Sequence, residues 1–140
     1  MSNLARLREE HAQLIAIVRR LSEAIAADSP PRSPDFHALR RELQSTLIAH
    51  LKAEDWMLYP RLLDSPDRDV AGTARVFSEE MGGLAATFMD YAEKWGPIAI
   101  EQDWAGYCRD TALIARALTQ RITRENQELY PLLERLDKAA

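Results

Sequence analysis

The chain has 140 residues, 46% of them apolar and 29% charged, with a formal net charge of −4. That length suits one domain with a core of its own, and the acidic balance gives no basic face for nucleic acid. The single cysteine, Cys108, cannot close an internal disulfide, no apolar run reaches bilayer-spanning length, and Met1-Ser2-Asn3-Leu4 opens no secretory signal, so a reducing cytoplasm is the expected setting.

Four helical segments are expected, at 3–28, 34–63, 67–95 and 99–137. The first carries an apolar stripe at alternating three- and four-residue spacing: Leu4, Leu7, His11, Leu14, Val18, Leu21 and Ile25. A proline-rich turn follows, and Ser33-Pro34 reads as an N-cap and first helical residue. The second segment places Leu43, Leu47, His50, Glu54 and Met57 on its inner face, while His37 falls off that face and is expected at the surface. Asp64-Ser65-Pro66-Asp67 starts the third, whose stripe is Phe77, Met81, Leu84, Phe88, Tyr91 and Trp95. Gly82-Gly83 interrupts it at roughly 1 kcal/mol per glycine relative to alanine; close packing, a loosened helix, or space for a small ligand would each account for the pair. Trp95-Gly96-Pro97 is a stop, and the fourth segment offers Ile114, Leu118, Arg121, Glu125, Leu129 and Leu132. Pro60 and Pro131 predict a kink or an end late in the second and fourth. Short connections make neighbours antiparallel, so the expected fold is all-α, an up-down-up-down four-helix bundle.

The bundle is a duplicated helix pair. His50-Leu51-Lys52-Ala53-Glu54-Asp55-Trp56-Met57-Leu58-Tyr59-Pro60 aligns with the eleven residues from Arg121 to Pro131, and Glu9-Glu10-His11 aligns with Glu79-Glu80-Met81. Glu, Leu, Tyr and Pro recur at the same spacing, but His50 is matched by Arg121 and His11 by Met81. The repeated tyrosines, Tyr59 and Tyr130, read first as packing residues and second as part of a site, and the three tryptophans as core or helix flanks. Glu10 and Glu80 read first as a solvated face beside the stripe, with support of a site histidine the alternative for Glu10.

His50, Glu54, Arg121 and Glu125 are ionisable residues on stripes that should be buried, and His11 is a fifth. Unpaired charge is costly in a core, so such groups pair, bind metal or neutralise. Antiparallel helices can bring these five and Met81 into one layer, and the i, i+4 spacing lets His50 and Glu54 converge on one ion.

The ordered set of Glu-Glu-His11, His50-x-x-x-Glu54 and the second Glu125-x-x-x-Leu-Tyr-Pro resembles the hemerythrin-like HHE cation-binding domain over nearly the whole chain. The resemblance implies a bundle with two iron ions at its centre that binds oxygen or nitric oxide, or senses redox state. By position it implies His11 and His50 as ligands of a first metal, with Glu54 and Glu125 as bridging carboxylates. The second metal would need imidazoles where this chain has Met81, a soft thioether, and Arg121, which has no lone pair to offer.

Three readings follow. In the first, His11, His50 and Glu54, with Glu125 as fourth ligand, hold one divalent ion, iron or zinc, for binding or sensing a small diatomic such as oxygen or nitric oxide. In the second, no metal is bound, Arg121 pairs with both glutamates, and the bundle serves a protein partner or a homodimer. In the third, a two-histidine, one-carboxylate iron site activates oxygen, although nothing in the chain points to an organic substrate.

Overall fold

The computed structural model describes residues 2–139 and is all-helical over them, with no strand among the described residues. Helix α1 is Ser2–Ala24. Helix α2 (Pro34–Lys52) passes without a break through a π-helical turn, Ala53–Leu58, into α3 (Tyr59–Leu63). Helix α4 (Arg68–Met81) gives way at Gly82-Gly83 to α5 (Leu84–Lys94), and the short α6 (Pro97–Gln102) precedes α7 (Trp104–Arg124). A second π turn, Glu125–Leu129, joins α7 to α8 (Tyr130–Ala139).

The starts obey local chemistry. Ser33 Oγ accepts from the Asp35 amide at 3.1 Å with Pro34 behind it, satisfying an amide that the first turn leaves unpaired. Asp67 Oδ1 accepts from Asp69 and Val70 at 2.9 and 3.1 Å, and Asp103 Oδ1 from Gly106 at 3.0 Å. Asp103 thereby splits the expected fourth segment, separating α6 from α7. At the far end of α5 the Trp95 carbonyl, at the stop before Gly96-Pro97, accepts from Arg40.

The prolines neither end their helices nor act alone. Pro60 and Pro131 each lie just after a π turn, and the helix continues past both. The Tyr59 amide reaches back five residues to the Glu54 carbonyl, and the Tyr130 amide to the Glu125 carbonyl. Proline crowds the carbonyl four residues before it and offers no amide in return, and a widened turn relieves both problems. The turn also resets the helix phase. In an ordinary α-helix a residue five positions on lies roughly 140° round the axis; here Glu54 and Tyr59 are both buried on the inner face. Met57, expected inside, is 68% exposed, and its neighbour Trp56 is 72% exposed.

Elsewhere the apolar stripes face inward as the spacing predicts. Helix α1 packs on α2 and α7, α5 on α7 and α2, α3 on α4, and α4 on the second π turn and α8. Two apolar clusters result. One includes Leu14, Leu47, Phe88 and Leu118; the other includes Leu7, Tyr59, Phe77, Leu129 and Tyr130. Complete burial of a leucine such as Leu14 or Leu47 stabilises by roughly 1.5–3 kcal/mol. Along α1, His11 falls between Leu7 of one cluster and Leu14 of the other, so the expected polar layer divides the core. No described helix is long and apolar enough to cross a membrane.

Candidate metal centre

Five ionisable side chains, His11, His50, Glu54, Arg121 and Glu125, are at most 2% exposed and sit together. One ligand atom from each of His11, His50, Glu54 and Glu125 can be chosen so that all four lie within 4.8 Å of one another. The first π turn carries Glu54 and the second begins at Glu125, while His50 and Arg121 each stand one turn upstream of their glutamate.

The outward nitrogens fix the tautomers of the imidazoles. His11 Nδ1 lies 2.8 Å from Asn126 Oδ1, and His50 Nδ1 lies 2.7 Å from Glu10 Oε1. Both partners are acceptors, so both Nδ1 atoms carry the hydrogen, and both Nε2 lone pairs face inward. There they meet oxygen. His11 Nε2 is 3.0 Å from Glu125 Oε1, and His50 Nε2 is 3.1 Å from Glu54 Oε1. His50 Nε2 and Glu125 Oε1 are buried without a hydrogen-bond partner among the described residues. Lone pair against lone pair is unfavourable unless something positive lies between them.

The other carboxylate oxygens are occupied. Tyr59 donates to Glu125 Oε2 at 2.7 Å, and Tyr130 donates to Glu54 Oε2 at 2.5 Å while its oxygen lies 3.3 Å from His11 Nε2. Arg121 donates from Nε to Glu125 Oε2 at 3.1 Å, and from Nη2 to Glu54 Oε1 at 3.2 Å and Asp55 Oδ1 at 2.5 Å. Its Nη1 reaches the Met81 carbonyl at 3.3 Å, and the guanidinium lies over the Tyr59 ring at 5.4 Å.

The electrostatics follow from this crowding. Burial opposes ionisation of Glu54, but His50 and Arg121 outweigh it and hold the carboxyl down at about 2. Burial and repulsion by Glu54 push the Glu125 carboxyl up, against the pull of His11 and Arg121. Burial works against charging His50, yet Glu54 and Glu10 overcome it and raise its pKa, so the same negative potential draws a proton or a cation to that nitrogen. Burial also works against the charge on Arg121, but the surrounding carboxylates raise its pKa and keep it protonated. Burial, reinforced by the glutamates, raises both tyrosine pKa values, so Tyr59 and Tyr130 stay hydrogen-bond donors. Two buried carboxylates against one guanidinium leave the layer with a net charge of −1, which a proton on an imidazole or a bound cation would balance.

The expected layer therefore assembles, with one qualification. Met81 reaches it through its carbonyl, while its side chain is partly buried against the apolar cluster around Phe77 and Leu129. For several participants the second reading holds and not the first. Glu10, read first as solvated, bonds across to His50, and Tyr59 and Tyr130, read first as packing, each donate to a glutamate. Asp55 and Asn126 had no assigned role; the only signal was that both are polar and stand beside the repeated glutamate. His37 is outside the layer, beside Arg40. Trp56 is exposed, not core.

Between the first π turn and Gly82, a cleft of about 250 Å³ reaches the layer, with Asp55, Tyr59, Pro60, Phe77, Gly82 and Arg121 on its walls. A Cβ on Gly82 would collide with the Ser78 carbonyl, so this glycine belongs to a close approach of backbone.

The family model of the hemerythrin HHE cation binding domain matches residues 2–133, and the chain belongs to that family. Nothing among the curated proteins or the solved structures matches it.

Proposed function

We propose that this member of the HHE cation-binding family is a single-domain, up-down-up-down four-helix bundle that holds one divalent metal ion. The ligands would be His11, His50, Glu54 and Glu125. The observation that carries this reading is the pair of inward imidazole lone pairs, each facing a carboxylate oxygen, with His50 Nε2 and Glu125 Oε1 left unpartnered in the core. Two imidazoles and two carboxylates suit iron(II) or zinc(II). A bound ion would supply Lewis acidity and, if it is iron, a redox couple with positions left for a diatomic such as oxygen or nitric oxide.

The chain's own groups prepare for that role. Glu10 and Asn126 orient the imidazoles, as outer partners of metal-bound histidines do. Tyr59 and Tyr130 keep the carboxylates turned inward. The apolar clusters on either side exclude water, and the cleft of about 250 Å³ past Gly82 opens on the Arg121 side of the layer. The free thiol of Cys108 fits a reducing cytoplasm. The role is binding or sensing, since none of these features selects an organic substrate.

The test is elemental analysis of the purified protein before and after anaerobic iron(II) or zinc(II) loading. We expect about one ion per chain, lost in His50→Ala with the fold retained, because affinity rests on the deprotonated ligands. No retained ion in the parent under either loading would overturn the reading. The Arg121 network would then serve as a metal-free core, and the function would have to be sought in protein partners.

A further inference from the structure

The duplicated halves bring His50 and its counterpart Arg121 against the same Glu54, while His11 and Arg121 share Glu125. At one pole, His50 Nε2 approaches Glu54 Oε1 and His11 Nε2 approaches Glu125 Oε1. At the other, the guanidinium of Arg121, counterpart of His50, contacts the same Glu54 Oε1 and the opposite oxygen of Glu125. Each glutamate thus spans both poles. One pole has inward imidazole nitrogens and no fixed positive charge; the other has a fixed positive charge whose Nε, Nη1 and Nη2 each donate to an acceptor.

The surrounding residues have been reassigned with it. Asn126 accepts from His11, whereas its counterpart Asp55 accepts from Arg121; Met81, the counterpart of His11, has no side-chain N–H to give. Glu10 accepts from His50, but its counterpart Glu80 pairs with Arg124, one turn beyond Arg121. Asp55 adds a carboxylate where Asn126 is neutral, as a pole occupied by a permanent cation requires.

The geometry points to Arg121 as a built-in second cation: its guanidinium occupies the place that the pseudo-symmetric partner of the bound ion would take, and so restricts the centre to one metal. Arg121 is a specificity determinant, setting the number of ions and holding both glutamates in place whether or not the first pole is filled. The inference depends on the cation reading above only for the ion at the first pole, and the two can fail separately.

The experiment counts ions per chain in the parent and in Arg121→His, each loaded anaerobically with iron(II) and, separately, with zinc(II), with circular dichroism confirming the fold. We expect about one ion in the parent and close to two in Arg121→His, since the change removes a repelling charge and restores an imidazole. One ion in both folded proteins would overturn the role of Arg121 and leave the single-ion centre standing. No ion in the parent but one or more in Arg121→His would uphold Arg121 as the occupying cation and overturn the single-ion reading. None in either would overturn both.

If Arg121→His does not fold, Arg121→Ala is melted with and without millimolar guanidinium, which can reach the truncated position through the cleft at Asp55 and Gly82. A raised midpoint, absent in the parent and absent with equimolar urea, supports the cation role. No rise overturns it.

Discussion

The two halves of this chain share a scaffold and differ in what they place on it. Glu54 and Glu125 are each followed at the same spacing by Leu, Tyr and Pro, each lies at or beside the start of a π turn, and each receives a tyrosine hydroxyl from the other half. What differs is the residue one turn upstream: an imidazole held by Glu10 in the first half, a guanidinium held by Asp55 in the second. The kept features are those that the backbone and core require: a proline that favours the wide turn, a tyrosine that the turn brings inward, and a leucine in the seam. The exchanged features are the donors around the glutamates. A duplicated bundle can therefore change its charge-binding chemistry at one pole without disturbing the helices that carry it.

The sharpest way to break the comparison is to remove the guanidinium without replacing its charge. Arg121→Met should destabilise the metal-free protein by about 3–5 kcal/mol, because Glu54, Glu125 and Asp55 then lose their shared buried counter-ion. Urea unfolding followed by circular dichroism measures this directly. A loss under about 1 kcal/mol, within the range of an exposed ion pair, would mean that the glutamates do not depend on Arg121 for neutralisation.

The outer partners should show the asymmetry next. Glu10→Ala frees the His50 ring and should weaken metal binding by about 10–100-fold, the usual effect of losing an outer partner of a histidine ligand. Glu80→Ala, at the equivalent place in the second half, removes a surface contact to Arg124 and should leave affinity unchanged. Metal titration against a competing chelator separates the two. Equal losses in both variants would show that the halves contribute alike and that the identity of the upstream residue does not decide the chemistry.

The polar layer was legible in the sequence for a simple reason: His11, His50, Glu54, Arg121 and Glu125 occupy seam positions where a leucine is expected. The apolar stripes of α1 and α7 were legible for the same reason. The roles of Tyr59 and Tyr130 were not, because periodicity at 3.6 residues puts them away from the glutamates, and the π turn reverses that placement. The same phase shift explains why Met57, expected inside, is exposed, and why Trp56 stands on the helix flank and not in the core. Glu10, Asp55 and Asn126 lie beside the seam, and their partners are on other helices. Spacing along one helix carries no information about a contact across forty or more residues.

Those tyrosines give the smallest contrast, and it tests whether Arg121 accounts for the asymmetry. Tyr59→Phe removes one donor from Glu125 Oε2, but Arg121 Nε still donates to that oxygen. The expected cost is about 1 kcal/mol, that of an ordinary hydrogen bond. Tyr130→Phe removes the close donor from Glu54 Oε2, whose next approach is His11 Nε2 at 3.8 Å, a lone pair in the tautomer fixed by Asn126. A buried carboxylate oxygen left without a donor costs more, about 1–3 kcal/mol, so Tyr130→Phe should be the less stable of the pair when both are unfolded in urea without metal. Tyr130 also adjoins the ligand pole, so its loss should lower metal affinity while Tyr59→Phe leaves it nearly unchanged. If the two variants lose the same stability, the guanidinium is not compensating for the missing hydroxyl at Glu125, and the two poles are more alike than the distribution of donors implies.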